Sequence, residues 1–229
     1  MERIVADSAE NFGRAVAMAV AALRRGGVIA APTETVYGLM TLWGNTAGRE
    51  RIFTLKKRAE DKPLQMLAAN LGMAAAAGVG ADPRLERLAA RFWPGPLTVV
   101  CVGIRGSSIG LRIPQHAFIQ ALLQRLGKPL AATSANLSGE PAAADADAAV
   151  RNLAAEPELL VDGGPIRGAA SSTVISIAGP EPELLRAGPI SIEEVRAALT
   201  ECGAGAAALR VRACSCPGDR ARLPRTGCC

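Results

Sequence analysis

The sequence predicts an α/β protein built on an open sheet of mixed strand direction, and three observations carry that prediction. Short apolar or β-branched runs interleave along the body with longer stretches whose apolar residues recur at helical spacing. Glycine and proline punctuate the junctions, as at Gly26-Gly27, Pro94-Gly95-Pro96 and Gly127. At 229 residues, with 49% hydrophobic and 21% charged side chains, the chain is long enough for one sizeable core and has the balance of a globular protein.

The elements follow in order. Asp7 or Ser8 caps a helix in which Phe12, Val16, Ala19, Val20 and Leu23 share a face, and Gly26-Gly27 stops it. Residues 28–31 form a short buried strand that ends at Pro32. Helical spacing at Ile52 and Leu55 marks a helix over 46–55, and residues 64–69 read as a strand between loop signals. A helix over 83–92 precedes the Pro-Gly-Pro turn, where Phe92-Trp93 reads as a packed aromatic anchor. Strands over 97–102 and 109–113 come next, then a helix over 117–126 ended by Gly127, and a strand over 130–132. A helix over 144–153, strands over 159–161, 173–177 and 183–186, and a helix over 192–199 capped by Ser191 complete the body.

Aromatic residues make up only 3% of the chain, so small apolar residues, chiefly Ala and Val, do most of the packing. The net charge of +5 is unevenly placed. Residues 203–229 hold Arg210, Arg212, Arg220, Arg222 and Arg225 against Asp219, which leaves the rest of the chain nearly neutral and makes overall basicity weak support for an RNA-binding body. Cysteine is equally lopsided, with Cys101 alone in the body and five at the end, unlike a secreted disulfide scaffold. The tail Cys214-x-Cys216 and Cys228-Cys229 spacing is not that of a structural zinc site, and no metal ligand set is assigned. The N-terminus lacks signal-peptide order, and no apolar run approaches the ~20 residues that span a bilayer. A cytoplasmic protein is expected, with a catalytic domain over 1–200 and a disordered Arg- and Cys-containing tail over 201–229.

Four separated segments carry the chemistry. Thr33-Glu34-Thr35 leaves the carboxyl end of a strand, where open α/β sheets collect ligands, although turn and cap chemistry explains the same residues equally well. Lys56 and Arg58, with Lys62 beyond them, suit a polyphosphate if they lie at a helix end or in a loop, and a solvated basic helix end is the plainer alternative. Ser134 and Asn136 follow an apolar strand and offer a hydroxyl and an amide, or simply an Asx or Ser turn. Arg112 and Arg186 each place a guanidinium at a strand end. His116, the only histidine, has no nucleophile pattern beside it and is assigned a structural or capping role. Neither a P-loop nor a dinucleotide glycine fingerprint is present.

Taken jointly and in order, Pro32-Thr33-Glu34-Thr35-Val36-Tyr37-Gly38-Leu39, Lys56-Lys57-Arg58, Trp93-Pro94-Gly95-Pro96-Leu97-Thr98, Ser134-Ala135-Asn136 and Ser171-Ser172-Thr173-Val174 resemble the YrdC/Sua5-type threonylcarbamoyl-adenylate synthases, over about residues 10–200. The chain is similar to the short, single-domain type. The resemblance implies a twisted, YrdC-like sheet around a concave, positively lined cavity. It implies that L-threonine, bicarbonate or CO2, and ATP with Mg2+ yield threonylcarbamoyl-AMP and pyrophosphate, for t6A at position 37 of tRNA. Thr33, Arg112 and Ser172 are then expected on L-threonine. Lys56, Arg58, Lys62, Ser134, Asn136 and Arg186 are expected on ATP, with Lys56, Arg58, Ser134 and Asn136 as the catalytic set and Ser108 and Ala132 as further lining. A tRNA-modifying transferase complex would receive the product. The alternatives are a non-catalytic double-stranded RNA or tRNA-binding module of the same fold, and a carbamoyl-adenylate-forming domain of hydrogenase maturation.

Overall fold

The computed structural model describes residues 1–57, 63–168 and 170–200. The chain opens with strand β1 (Glu2–Val5) and helix α1 (Ala9–Arg24), whose N-cap Ser8 accepts the Asn11 N–H at 3.2 Å. Then come β2 (Ile29–Ala31), β3 (Gly38–Leu42), α2 (Thr46–Lys56), β4 (Gln65–Leu67), α3 (Leu71–Ala76) and α4 (Pro83–Phe92). They are followed by β5 (Leu97–Val102), β6 (Ser108–Arg112), α5 (Ala117–Leu126), β7 (Leu130–Ser134) and α6 (Ala146–Arg151). The order ends with β8 (Leu159–Asp162), β9 (Thr173–Ser176), β10 (Glu183–Arg186) and α7 (Ile192–Thr200).

The strands form one ten-stranded sheet in the order β1-β8-β2-β3-β7-β4-β6-β5-β9-β10, with parallel and antiparallel neighbours. This is the expected mixed sheet flanked by helices. Turn chemistry acts where the sequence placed it. Gly127 closes α5 at φ +64°, a left-handed conformation that suits glycine. Ser191 and Glu194 form a reciprocal capping box at the start of α7, with the Glu194 N–H to Ser191 Oγ at 3.2 Å and the Ser191 N–H to Glu194 Oε2 at 2.8 Å.

Three elements escape the sequence reading. β1 buries only Ile4, so it carries no alternation to detect. β3 begins with glycine and is buried on both faces in mid-sheet, which leaves no period of two. α3 is a six-residue Ala- and Gly-containing turn held by Asn70, whose Oδ1 accepts the Met73 N–H at 2.8 Å. One boundary changes a site residue's setting: β7 runs through Thr133 and Ser134, because both pair with β3, so Ser134 ends the strand instead of following it.

Packing divides the sheet into two regions. α1 and α5 cover one face of its β1-to-β7 half, where Phe12 and Phe118 meet edge to face at 6.1 Å, and Ile52, Leu55, Tyr37 and Leu160 fill the opposite face. On the β4-to-β9 half, Met66, Val99, Leu111 and Ile175 bury one face beneath Leu85 and Leu88 of α4 and Val195 and Ala198 of α7. Trp93 fastens the turn into β5, as expected of an aromatic anchor, by donating its indole N–H to the Leu97 carbonyl at 2.8 Å. Burial pushes the Cys101 thiol up to about 11, which keeps it protonated and inert. Among the described residues no helix is long and apolar enough to cross a membrane. The Arg- and Cys-containing tail lies outside the described residues.

Candidate active site

Because side chains alternate along a strand, burying Met66, Val99 and Leu111 beneath the helices turns their neighbours Gln65, Thr98, Gly110 and Arg112 to the opposite face. Among the described residues no helix caps that face. It is concave and forms the floor of a cleft of about 320 Å³, closed at its sides by Thr35, Ser134, Ser172 and Arg186.

The wall nearest β2 is built by one threonine. Thr33 Oγ1 accepts the N–H groups of Thr35 and Val36, both at 3.1 Å, and donates to the Val36 carbonyl at 2.7 Å. The Thr33 and Thr35 hydroxyls also meet at 2.9 Å. Thr35 Oγ1 in turn accepts from Arg112, whose Nη1 and Nη2 both donate to it at 3.0 Å. Arg112 is only 3% exposed; its Nε donates to the Gly95 carbonyl at 3.2 Å and its Nη2 pairs with Glu34 Oε1 at 2.8 Å. Three of its five N–H donors are thus hydrogen-bonded, and Nη2 lies in an ion pair as well.

Across the cleft, Arg186 ends β10, and its Nε and Nη2 donate to the Ser172 carbonyl at 3.1 and 2.8 Å. Nη2 also reaches Ser172 Oγ at 3.0 Å. Partial burial, and then the like charge of Arg112, push its pKa below the ordinary value, although part of the side chain remains open to solvent. Two guanidinium groups close enough to repel one another make a site that an anion would relieve.

The third wall rests on a buried ammonium. Lys56 ends α2 at 1% exposure, and Nζ donates to the Ser134 carbonyl, to the Asn136 carbonyl at 2.6 Å and to Asn136 Oδ1 at 3.2 Å. Asn136 Nδ2 donates to the carbonyls of Leu137 and Glu140 at 2.8 and 2.7 Å. Lys56 and Asn136 therefore brace the turn that presents the Ser134 side chain to the cleft.

The structure brings Arg112, Ser134, Ser172, Arg186, Ser108 and Ala132 together around one cleft. Thr33 stands one layer behind, on an adjoining recess of about 20 Å³. Lys56 is buried at the helix end, where its ammonium points at backbone carbonyls, and neither it nor Asn136 is in the lining. Arg58 and Lys62 lie outside the described residues. His116 occupies the N-cap of α5, yet its side chain makes no capping bond, and burial holds its pKa below the ordinary imidazole value. The capping part of that assignment is corrected: a half-buried imidazole does not reach the helix N–H groups there, and Nδ1 has no partner among the described residues. Thr35, from the segment expected at the ligand end of its strand, lines the cleft, whereas the sequence reading missed Thr98 and Gln65 as lining residues. Gln65 had a signal, a single amide inside an otherwise apolar strand run.

The sequence and the fold both have known relatives. The Sua5/YciO/YrdC family, described under telomere recombination, matches residues 21–188. The threonylcarbamoyl-AMP synthase of Bacillus subtilis (strain 168) is 35% identical over 205 residues, which cover 85% of this chain and 59% of that protein. The chain thus spans about three fifths of that longer relative. It spans more of a putative threonylcarbamoyl-AMP synthase of Mycobacterium leprae, at 33% identity over 81% of this chain and 88% of that protein. The crystal structure of Pyrococcus abyssi Sua5 complexed with L-threonine superposes with a TM-score of 0.80 at 31% identity, over 88% of this chain and 62% of that one. With a family match across most of the body and a relative at 33% identity over 88% of its own length, this chain belongs to the Sua5/YciO/YrdC family.

Proposed function

We propose that this chain is an L-threonylcarbamoyladenylate synthase that supplies t6A formation at position 37 of tRNA. The observation that carries the reading is the convergence of Arg112 and Arg186 on one hydroxyl-lined cleft, in a chain whose relatives bear the name threonylcarbamoyl-AMP synthase. A cleft of about 320 Å³ is within the range of small-molecule sites.

In this reading the threonine amine attacks the carbon of bicarbonate, a C–N bond forms, and water departs to leave a carbamate. A carbamate oxygen then attacks the α-phosphorus of ATP. The new P–O bond forms as the bond to the β-phosphate breaks, and pyrophosphate leaves with the Mg2+ that entered with ATP as part of the substrate. The residues position reactants and balance phosphate charge, so no nucleophilic side chain is required. Thr33 acts through Thr35 to fix Arg112, which with Ser172 faces L-threonine. Lys56, Arg58, Lys62, Ser134, Asn136 and Arg186 form the nucleotide side, where Lys56 and Asn136 set the turn bearing Ser134. The adenylate then passes to a tRNA-modifying transferase in the cytoplasm, and direct tRNA contact is part of the proposal.

The test is pyrophosphate release from ATP and Mg2+, with L-threonine and bicarbonate omitted in turn and the adenylate identified by mass. Release that requires both supports the synthase. No release under any combination, from folded protein, replaces this reading with an RNA-binding module.

A further inference from the structure

The hydrogen bonds across the cleft floor have a single consistent direction. A guanidinium has no acceptor, so the 3.0 Å contact between Arg186 Nη2 and Ser172 Oγ makes Ser172 the acceptor. The one hydroxyl proton of Ser172 then goes to Thr98 Oγ1, 2.9 Å away, and Thr98 donates to Gln65 Oε1 at 3.0 Å. Since the last acceptor is the carboxamide oxygen, the carboxamide nitrogen of Gln65 is turned away from this chain of bonds. It has no protein acceptor among the described residues, and Gln65 lines the cleft. Ala132 is its partner on β7, and Gly110 on β6 has no side chain, where a Cβ would sit 3.8 Å from Gln65 Cβ.

We propose that Gln65 is a substrate-contacting specificity residue, whose preoriented amide N–H donates to a carboxylate oxygen of the non-nucleotide substrates. The proposal rests on the synthase reading. A neutral donor suits this position, because Arg112 and Arg186 already repel one another and a third cation would add to that repulsion. The carboxylate is either the α-carboxylate of L-threonine or the carboxylate introduced from bicarbonate, and kinetics separates the two.

Gln65→Glu keeps the shape and the bond from Thr98 but turns an acceptor oxygen toward the substrate carboxylate. Gln65→Met removes the donor without adding charge. In Gln65→Glu the KM for L-threonine or for bicarbonate should rise by about tenfold or more, and in Gln65→Met by about threefold to tenfold, with the KM for ATP unchanged. A rise for threonine alone assigns the α-carboxylate; a rise for bicarbonate alone assigns the other. Calorimetric titration of L-threonine into wild type and both variants supplies a readout independent of turnover. Folded variants with wild-type KM values for threonine and bicarbonate, or a matching shift in the KM for ATP, overturn the proposal. If threonine binds wild type and binds the variants more weakly while no pyrophosphate is released, the synthase reading fails and the Gln65 contact stands. If there is no turnover and the variants bind threonine as wild type does, or wild type does not bind it, both fall. Should Gln65→Glu not fold, Gln65→Met decides the matter, since its apolar side chain needs no partner.

Discussion

Arg112→Met removes a buried guanidinium from four contacts at once: Glu34 at 2.8 Å, Thr35 twice at 3.0 Å and the Gly95 carbonyl at 3.2 Å. Most of the expected cost comes from what stays behind. Among the described residues Glu34 retains only the Gln115 N–H at 2.8 Å on Oε1, and its Oε2 already lacks a partner. Leaving one member of a buried ion pair uncompensated costs about 3–5 kcal/mol. At roughly 2–4 °C per kcal/mol for a chain of this size, the melting temperature should fall on the order of 10 °C. Thermal and urea unfolding of Arg112→Met, Glu34→Gln and the double variant measure this directly. With the stranded charge neutralised, the double variant should regain about 2 kcal/mol relative to Arg112→Met alone. Threonine-dependent turnover should not return, because the cation at the cleft remains absent. A melting temperature for Arg112→Met within about 2 °C of wild type, or a double variant no more stable than the single one, would refute the reasoning.

Two further outcomes follow from the site. Lys56→Met leaves the Ser134 and Asn136 carbonyls and Asn136 Oδ1 without the ammonium, so urea unfolding should show a loss on the order of 3 kcal/mol; a loss of turnover at unchanged stability would mean that Lys56 acts on substrate alone. Burial lowers the His116 pKa below 6.5 while Glu34 opposes it, so the unfolded chain takes up this proton first as the pH falls. The stability that His116 contributes is therefore present above about pH 6.5 and lost below it; His116→Gln should flatten the fall of melting temperature between about pH 7 and pH 5, and an unchanged slope would contradict the assignment.

Comparison of particular elements shows where legibility stops. Helices over 83–92 and 117–126 were readable to the residue, because Asp82 and Pro83 at one start, Gly127 at one end and amphipathic spacing between are local signals. β1 and β3 were not, since an edge strand that buries one residue and a central strand buried on both faces both lack a period of two. In the site, Arg112 and Arg186 were legible as guanidinium groups at strand ends, and both occupy that place. Thr35 and Thr98 were not separable in sequence from ordinary turn and strand threonines, because their importance lies in hydrogen bonds to Arg112 and Gln65, 77 and 33 residues away.

The sequence by itself determined the α/β class, most helix boundaries and the family, because these follow from local periodicity, caps and ordered motifs. Only the tertiary structure decided which residues face the ligand space and which hold others in place. Thr33 and Lys56 are indistinguishable in sequence from ligand-binding residues, yet one closes a turn and the other braces a loop from inside the core. Gln65 was one polar residue in a strand until the proton order from Arg186 through Ser172 and Thr98 fixed the direction of its amide. The physical reason is that the direction of a hydrogen bond is set by every partner in its network, and those partners meet only when β4, β5, β9 and β10 come to lie across one face of the sheet.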